Sequence, residues 1–161
     1  MAEMIKVGMA DAKICRTPDA ITTLGLGSCV GVALFDSTTR IAGLVHVMLP
    51  DSTTVRQNSN KAKFADTGID LCIDMMVKAG AKRAGLTAKI AGGAQMFAFS
   101  GNSDMLRVGE RNVQAVKKKL AALGIRILAE DTGLNFGRTV EFYPETGDFL
   151  IKAVGKPPKT I

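Results

Sequence analysis

Apolar residues in the first third of the chain form short alternating or clustered runs bounded by turn residues, the pattern of β-strands. Strands are predicted at 4–9, 13–15 and 21–26. Two more runs, 30–35 and 41–48, flank the turn-rich Asp36-Ser37-Thr38-Thr39-Arg40 and predict an antiparallel hairpin. Pro50 ends the second of these, and the polar stretch 51–60 predicts an exposed loop. From 63 to 78 the positions Phe64, Ile69, Cys72, Met75 and Met76 recur at helical spacing, and Gly80 supplies a stop. A strand at 87–91 then runs into Gly92-Gly93. A second helix at 111–123 places Val113, Val116 and Leu120 on one face and Lys117, Lys118 and Lys119 opposite, closed by Gly124. A strand at 125–129 follows, and 138–143 and 148–154 form a last hairpin around Pro144-Glu145-Thr146-Gly147. The tail from Gly155 is expected to be mobile. Strands at both ends with two interleaved helices predict an α+β layered sandwich of mixed β-sheet flanked by helices.

Composition narrows the class. The 161 residues are 47% hydrophobic and 22% charged, which fits one globular domain spanning 1–161. No apolar run reaches the roughly 18–20 residues of a membrane span, and residues 1–20 lack signal-peptide order, so a cytoplasmic address without membrane insertion is expected. The net charge of +6 raises the question of nucleic acid. Much of the charge is local, and one tyrosine with no tryptophan offers little for base stacking, so no nucleic-acid role is expected. A solvated face, or one that meets an acidic protein, is the simpler account.

The densest chemical signal is Thr22-Thr23-Leu24-Gly25-Leu26-Gly27-Ser28-Cys29. Two glycines and a small polar residue deliver a cysteine to the start of an apolar strand, where the backbone N–H groups of Gly27, Ser28 and Cys29 could face a developing oxyanion. A dinucleotide fingerprint would need a third glycine where Val30 stands, and no Lys-Ser/Thr follows for a phosphate loop. Cys15, in a strand, and Cys72, on the apolar face of the first helix, fit ordinary burial. The three cysteines with His46 make a nominal zinc set, but without a Cys-x-x-Cys hook no metal or other cofactor is expected.

His46, the only histidine, interrupts the apolar run Val45-His46-Val47, where an imidazole needs hydrogen bonds. Counting back from the turn, paired positions sum to about 76, which sets Cys29 opposite roughly position 47. The cysteine and the histidine are therefore expected side by side. A nearby imidazole would lower the thiol pKa and supply thiolate. The second ring nitrogen needs an acceptor, for which Thr23, Asp51 and Asp66 are the candidates.

These residues carry a resemblance. Leu24-Gly25-Leu26-Gly27-Ser28-Cys29-Val30, Val45-His46-Val47-Met48-Leu49-Pro50-Asp51-Ser52, Lys63-Phe64-Ala65-Asp66-Thr67, Ala88-Lys89-Ile90-Ala91-Gly92-Gly93-Ala94, Arg111-Asn112-Val113 and Ala129-Glu130-Asp131-Thr132-Gly133 together resemble the CheD family of chemoreceptor glutamine deamidases. The resemblance implies a Cys29–His46–Thr23 triad that hydrolyses receptor glutamine to glutamate through a thioester, with methylesterase activity as a side reaction. It implies two partners, methyl-accepting chemotaxis receptors and a CheC-type phosphatase. It further implies a fold like the catalytic domain of bacterial deamidating toxins, with Gly92, Gly93 and Phe97 bordering the partner surface. A module that acts mainly by docking is the alternative.

Overall fold

A computed structural model of the chain describes residues 2–96 and 107–161; Phe97, expected at the partner surface, lies outside the described residues. Among the described residues ten strands and two longer helices follow one another as β1 (Met4–Val7), β2 (Ala12–Arg16), β3 (Ala20–Leu26), β4 (Val30–Asp36), β5 (Ile41–Val47), α1 (Ala65–Lys78), β6 (Leu86–Gly92), α2 (Val108–Ala122), β7 (Arg126–Thr132), β8 (Arg138–Tyr143), β9 (Asp148–Lys152) and β10 (Lys159–Thr160). They build two mixed sheets, an outer one ordered β1-β3-β8-β9-β10 and an inner one ordered β2-β5-β4-β6-β7. The predicted α+β sandwich is therefore present. Among the described residues no helix is long and apolar enough to cross a membrane.

The inner sheet is covered on both faces, which explains why β4 and β5 read as nearly continuous apolar runs. Large side chains point one way: Val30, Val32, Leu34, Ile41, Val45 and Val47 join the core beneath the helices, with Ile69, Cys72, Ile73 and Met76 of α1 and Val116 and Leu120 of α2. Burying each such valine, leucine or isoleucine contributes about 1.5–3 kcal/mol. The opposite face carries mostly smaller ones, where Cys29, Ala33, Ala42 and Ala91, with the larger Leu44, meet Ile21, Leu26, Val140, Phe142 and Phe149 between the sheets. Close approach of α1 needs Gly43, because a Cβ there would lie 2.5 Å from Cys72 Sγ.

Differences from the sequence reading have local causes. The first helix starts at Ala65 rather than 63, since Lys61–Lys63 form a separate turn capped by Asn60 and Phe64 is extended. Within the exposed loop, Asp51 caps a short turn at Ser52–Thr54. The tail is no loose end: Lys159 pairs with Ile151, and Ile161 exchanges backbone hydrogen bonds with Phe149. No apolar alternation marks so short an edge strand, so its pairing is invisible in sequence.

Candidate active site

The chain changes sheets at the cysteine. In the outer sheet β3 pairs Thr23 with Val140, then slips before Leu26 meets Arg138. Gly25 takes φ +73° in that slip, a left-handed conformation that suits glycine. Residues 27–29 bend across the gap and Val30 enters the inner sheet. Backbone hydrogen bonds fix this crossing, with Ala94 N–H donating to Gly27 O and Gly93 N–H to Cys29 O, both at 2.8 Å. A Cβ on Gly92 would sit 2.2 Å from Cys29 O, so only glycine lets the two segments touch.

The hairpin forms one residue out of the predicted register, with Gly31 opposite His46 and Val30 opposite Val47. That shift matters because side chains alternate between faces. The predicted register, with Cys29 opposite position 47, would have turned Cys29 and His46 to opposite faces. The observed one puts both on the face between the sheets, two residue positions apart along the hairpin. Gly31 leaves room there, since a Cβ on it would meet Leu26 Cδ1 at 3.0 Å and Thr23 Cγ2 at 3.7 Å.

Across that layer Thr23 Oγ1 lies 2.7 Å from His46 Nδ1. The same hydroxyl donates to Val7 O at 2.8 Å. A carbonyl can only accept, and a hydroxyl has one proton, so that proton belongs to the Val7 bond. Thr23 must then accept from Nδ1–H, which leaves Nε2 unprotonated and basic. Nε2 is buried and has no hydrogen-bond partner among the described residues, Cys29 Sγ included.

Burial sets the protonation states. His46 and Thr23 are fully buried, whereas Cys29 keeps 8% exposure and so an opening to solvent. Burial pushes the Cys29 thiol up, tempered by its own backbone N–H, and pushes the His46 imidazole down. Both shifts favour the uncharged forms, a thiol and an imidazole, over a thiolate–imidazolium pair. The uncharged pair can pass a proton from sulfur to nitrogen as the sulfur attacks a carbonyl carbon. Cys15 and Cys72 are pushed up to about 12 by burial and stay inert thiols.

The other candidates part from the site. Asp51 holds Thr53, and Asp66 holds the backbone and hydroxyl of Ser52, so neither carboxylate is the acceptor beside His46. Gly27 N–H is committed to Gly25 O at 3.0 Å, which removes it from the possible oxyanion donors and leaves those of Ser28 and Cys29. Gly92 and Gly93, expected at the partner surface, are buried because they dock on the Cys29 loop and against α2. Sequence reasoning missed Asn112, fully buried on α2, whose Nδ2 donates to Ser28 O at 3.0 Å and to Met48 O at 2.9 Å. Its signal is an asparagine on the apolar face of an amphipathic helix, next to Val113 and Val116.

Comparison with known proteins places these features in a family. The family model described as CheD chemotactic sensory transduction matches residues 48–153. A protein of Lachnoclostridium phytofermentans named "Probable chemoreceptor glutamine deamidase CheD" is 65% identical over 161 residues, covering 100% of both chains. Proteins named "Chemoreceptor glutamine deamidase CheD" are 53% identical in Halalkalibacterium halodurans, over 100% of both chains, and 50% identical in Bacillus subtilis, over 99% of this chain and 97% of the relative. With half or more of its residues shared along its whole length, and two thirds of them inside the family model, the chain belongs to the CheD family.

Proposed function

We propose that the protein deamidates glutamine side chains of methyl-accepting chemotaxis receptors in the cytoplasm, with Cys29 as nucleophile, His46 as acid and base, and Thr23 as the residue that orients the imidazole. The observation that carries this reading is the bond between Thr23 Oγ1 and His46 Nδ1 at 2.7 Å, which leaves a basic Nε2 in the buried layer that also holds Cys29. Family membership supports the substrate, since relatives at 50–65% identity bear the name chemoreceptor glutamine deamidase.

In the first half-reaction His46 Nε2 takes the thiol proton while Sγ bonds to the carboxamide carbon. The Ser28 and Cys29 N–H groups face the oxyanion that forms. Collapse breaks the C–N bond, and the imidazolium gives its proton to the leaving nitrogen, releasing ammonia and a thioester. In the second half His46 takes a proton from water, hydroxide adds to the thioester carbon, and the returning thiol leaves glutamate. A glutamyl methyl ester would follow the same route with methanol departing, which makes methylesterase activity a side reaction.

Docking is a second output of the same surface. Met96, 45% exposed, overlies Gly27, and Leu24 in β3 and Leu134 after β7 are 57% and 66% exposed. Such apolar side chains suit the face of a receptor helix, or of a CheC-type phosphatase that competes for it. Ammonia release and peptide mass from purified receptor fragments test the enzyme reading. Wild type should raise a defined glutamine by about one dalton through the thioester route, while Cys29→Ala should bind the receptor and release no ammonia. Full ammonia release by Cys29→Ala would overturn it.

A further inference from the structure

Two carbonyl groups near the candidate triad lie outside the strand ladders: Ser28 O, in the bend just before Cys29, and Met48 O, just past the end of β5 and two residues after His46. One side chain joins them. Asn112 reaches in from α2, fully buried, and spends both amide protons on these two acceptors, at 3.0 Å and 2.9 Å. The reversed amide would aim Oδ1 at two carbonyl oxygens, so the pairing fixes the orientation. Oδ1 itself is buried without a partner among the described residues. Both of its side-chain hydrogen bonds here are thus donated ones.

We infer that Asn112 is a positioning residue that clamps the Cys29 loop to the exit of the His46 strand and so sets the distance between Sγ and Nε2. The inference rests on the assignment of Cys29 and His46 under the proposed function. Its physical basis is that the strand pairing between these two backbone segments ends here. The β4–β5 ladder ends at the Val30–Val47 pair, so Cys29 and Met48 have no strand pairing to hold them together. Only a side chain with two N–H donors on one atom bridges two carbonyls in this way. Aspartate offers no donor, serine one, and alanine none.

The test uses Asn112→Ala and Asn112→Ser in the full-length protein. Two measurements are made: kcat and KM for ammonia release from a receptor fragment, and the pH profile of Cys29 alkylation by iodoacetamide, read by mass spectrometry. Alkylation needs no receptor, and in wild type its rate should carry an inflection that disappears in His46→Ala. Displacement of reacting atoms by about 1 Å can cost on the order of 100-fold in rate. Asn112→Ala should accordingly lower kcat by about 10- to 100-fold at unchanged KM and erase the His46 inflection, with Asn112→Ser intermediate. A folded Asn112→Ala that keeps both the inflection and kcat overturns the clamp. Failure of both variants to fold also overturns it, because the residue would then be structural. Wild type that releases no ammonia but shows an Asn112-dependent inflection would sink the deamidase reading and support the clamp.

Discussion

Replacing Thr23 by valine changes one functional group in the most constrained part of the site. The valine keeps the shape but cannot accept from His46 Nδ1–H or donate to Val7 O, the bonds at 2.7 Å and 2.8 Å. A net neutral hydrogen bond contributes about 0.5–1.5 kcal/mol, and an orphaned buried donor costs about 1–3 kcal/mol. With no acceptor left beside Nδ1 and none beside Nε2 among the described residues, the preference for the Nδ1–H tautomer disappears, and any imidazole that carries its proton on Nε2 no longer accepts from the thiol. If the inactive tautomer wins by about 1.4–2.8 kcal/mol, kcat falls about 10- to 100-fold, since each factor of ten is about 1.4 kcal/mol. Stability should fall by about 1–3 kcal/mol. Because His46 is the only histidine, long-range proton–nitrogen spectra report its tautomer without assignment work. Ammonia release gives kcat, and Thr23→Ser should restore most of it. A Thr23→Val protein with kcat within about twofold of wild type and Nδ1–H retained would refute the tautomer argument.

Two further outcomes are expected. The rate should stay level through neutral pH and fall only below about 6.5, the ordinary histidine value, because burial pushes His46 down and the Cys29 thiol up. An acid limb above that value would contradict the neutral pair. The same depressed imidazole binds its proton first in the unfolded chain, so its effect on stability is absent at high pH and becomes destabilising as pH falls from the unfolded towards the folded value. Asp131→Asn should destabilise by about 3–5 kcal/mol, because it leaves the fully buried Arg138 guanidinium without its carboxylate at 2.9 Å. Burial alone would raise the Asp131 pKa, but bonds from Lys159 and Arg138 hold it below the ordinary range. That contribution is present above the usual aspartate pKa and is lost as pH falls through the folded one. Thermal denaturation of the variant beside wild type measures the loss, and a Tm within 2 °C or so of wild type would rule it out.

Local structure was largely legible, because it depends on contiguous residues. The β4–β5 hairpin follows from its turn and apolar runs, and both helices follow from spacing. The register missed by one: Asp36 is the last paired residue, opposite Ile41, rather than part of the turn. Cys29 and His46 were legible as residues at the same end of one hairpin, yet their shared face depended on that single residue. What sequence could not show was set by distant chain segments. The parallel pairing of β1 with β3 brings Val7 O to Thr23, and α2 brings Asn112 to Ser28 and Met48. The resemblance implied a partner surface at Gly92 and Gly93, and periodicity does not reveal that the Gly92 backbone packs against Cys29 O, 2.2 Å from an absent Cβ.

The bond between Thr23 and His46 joins a strand of the outer sheet to a strand of the inner one, so it doubles as a gauge of how far apart the two sheets stand. Packed sheets stand about 10 Å apart, and a hydrogen bond tolerates only a few tenths of an ångström of that spacing. The side chains that fill this layer, from Ala33, Ala42 and Ala91 to Leu44 and Phe142, therefore act as shims for that bond. Drift within such a sandwich would be expressed as lost turnover while secondary structure and gross stability still looked intact.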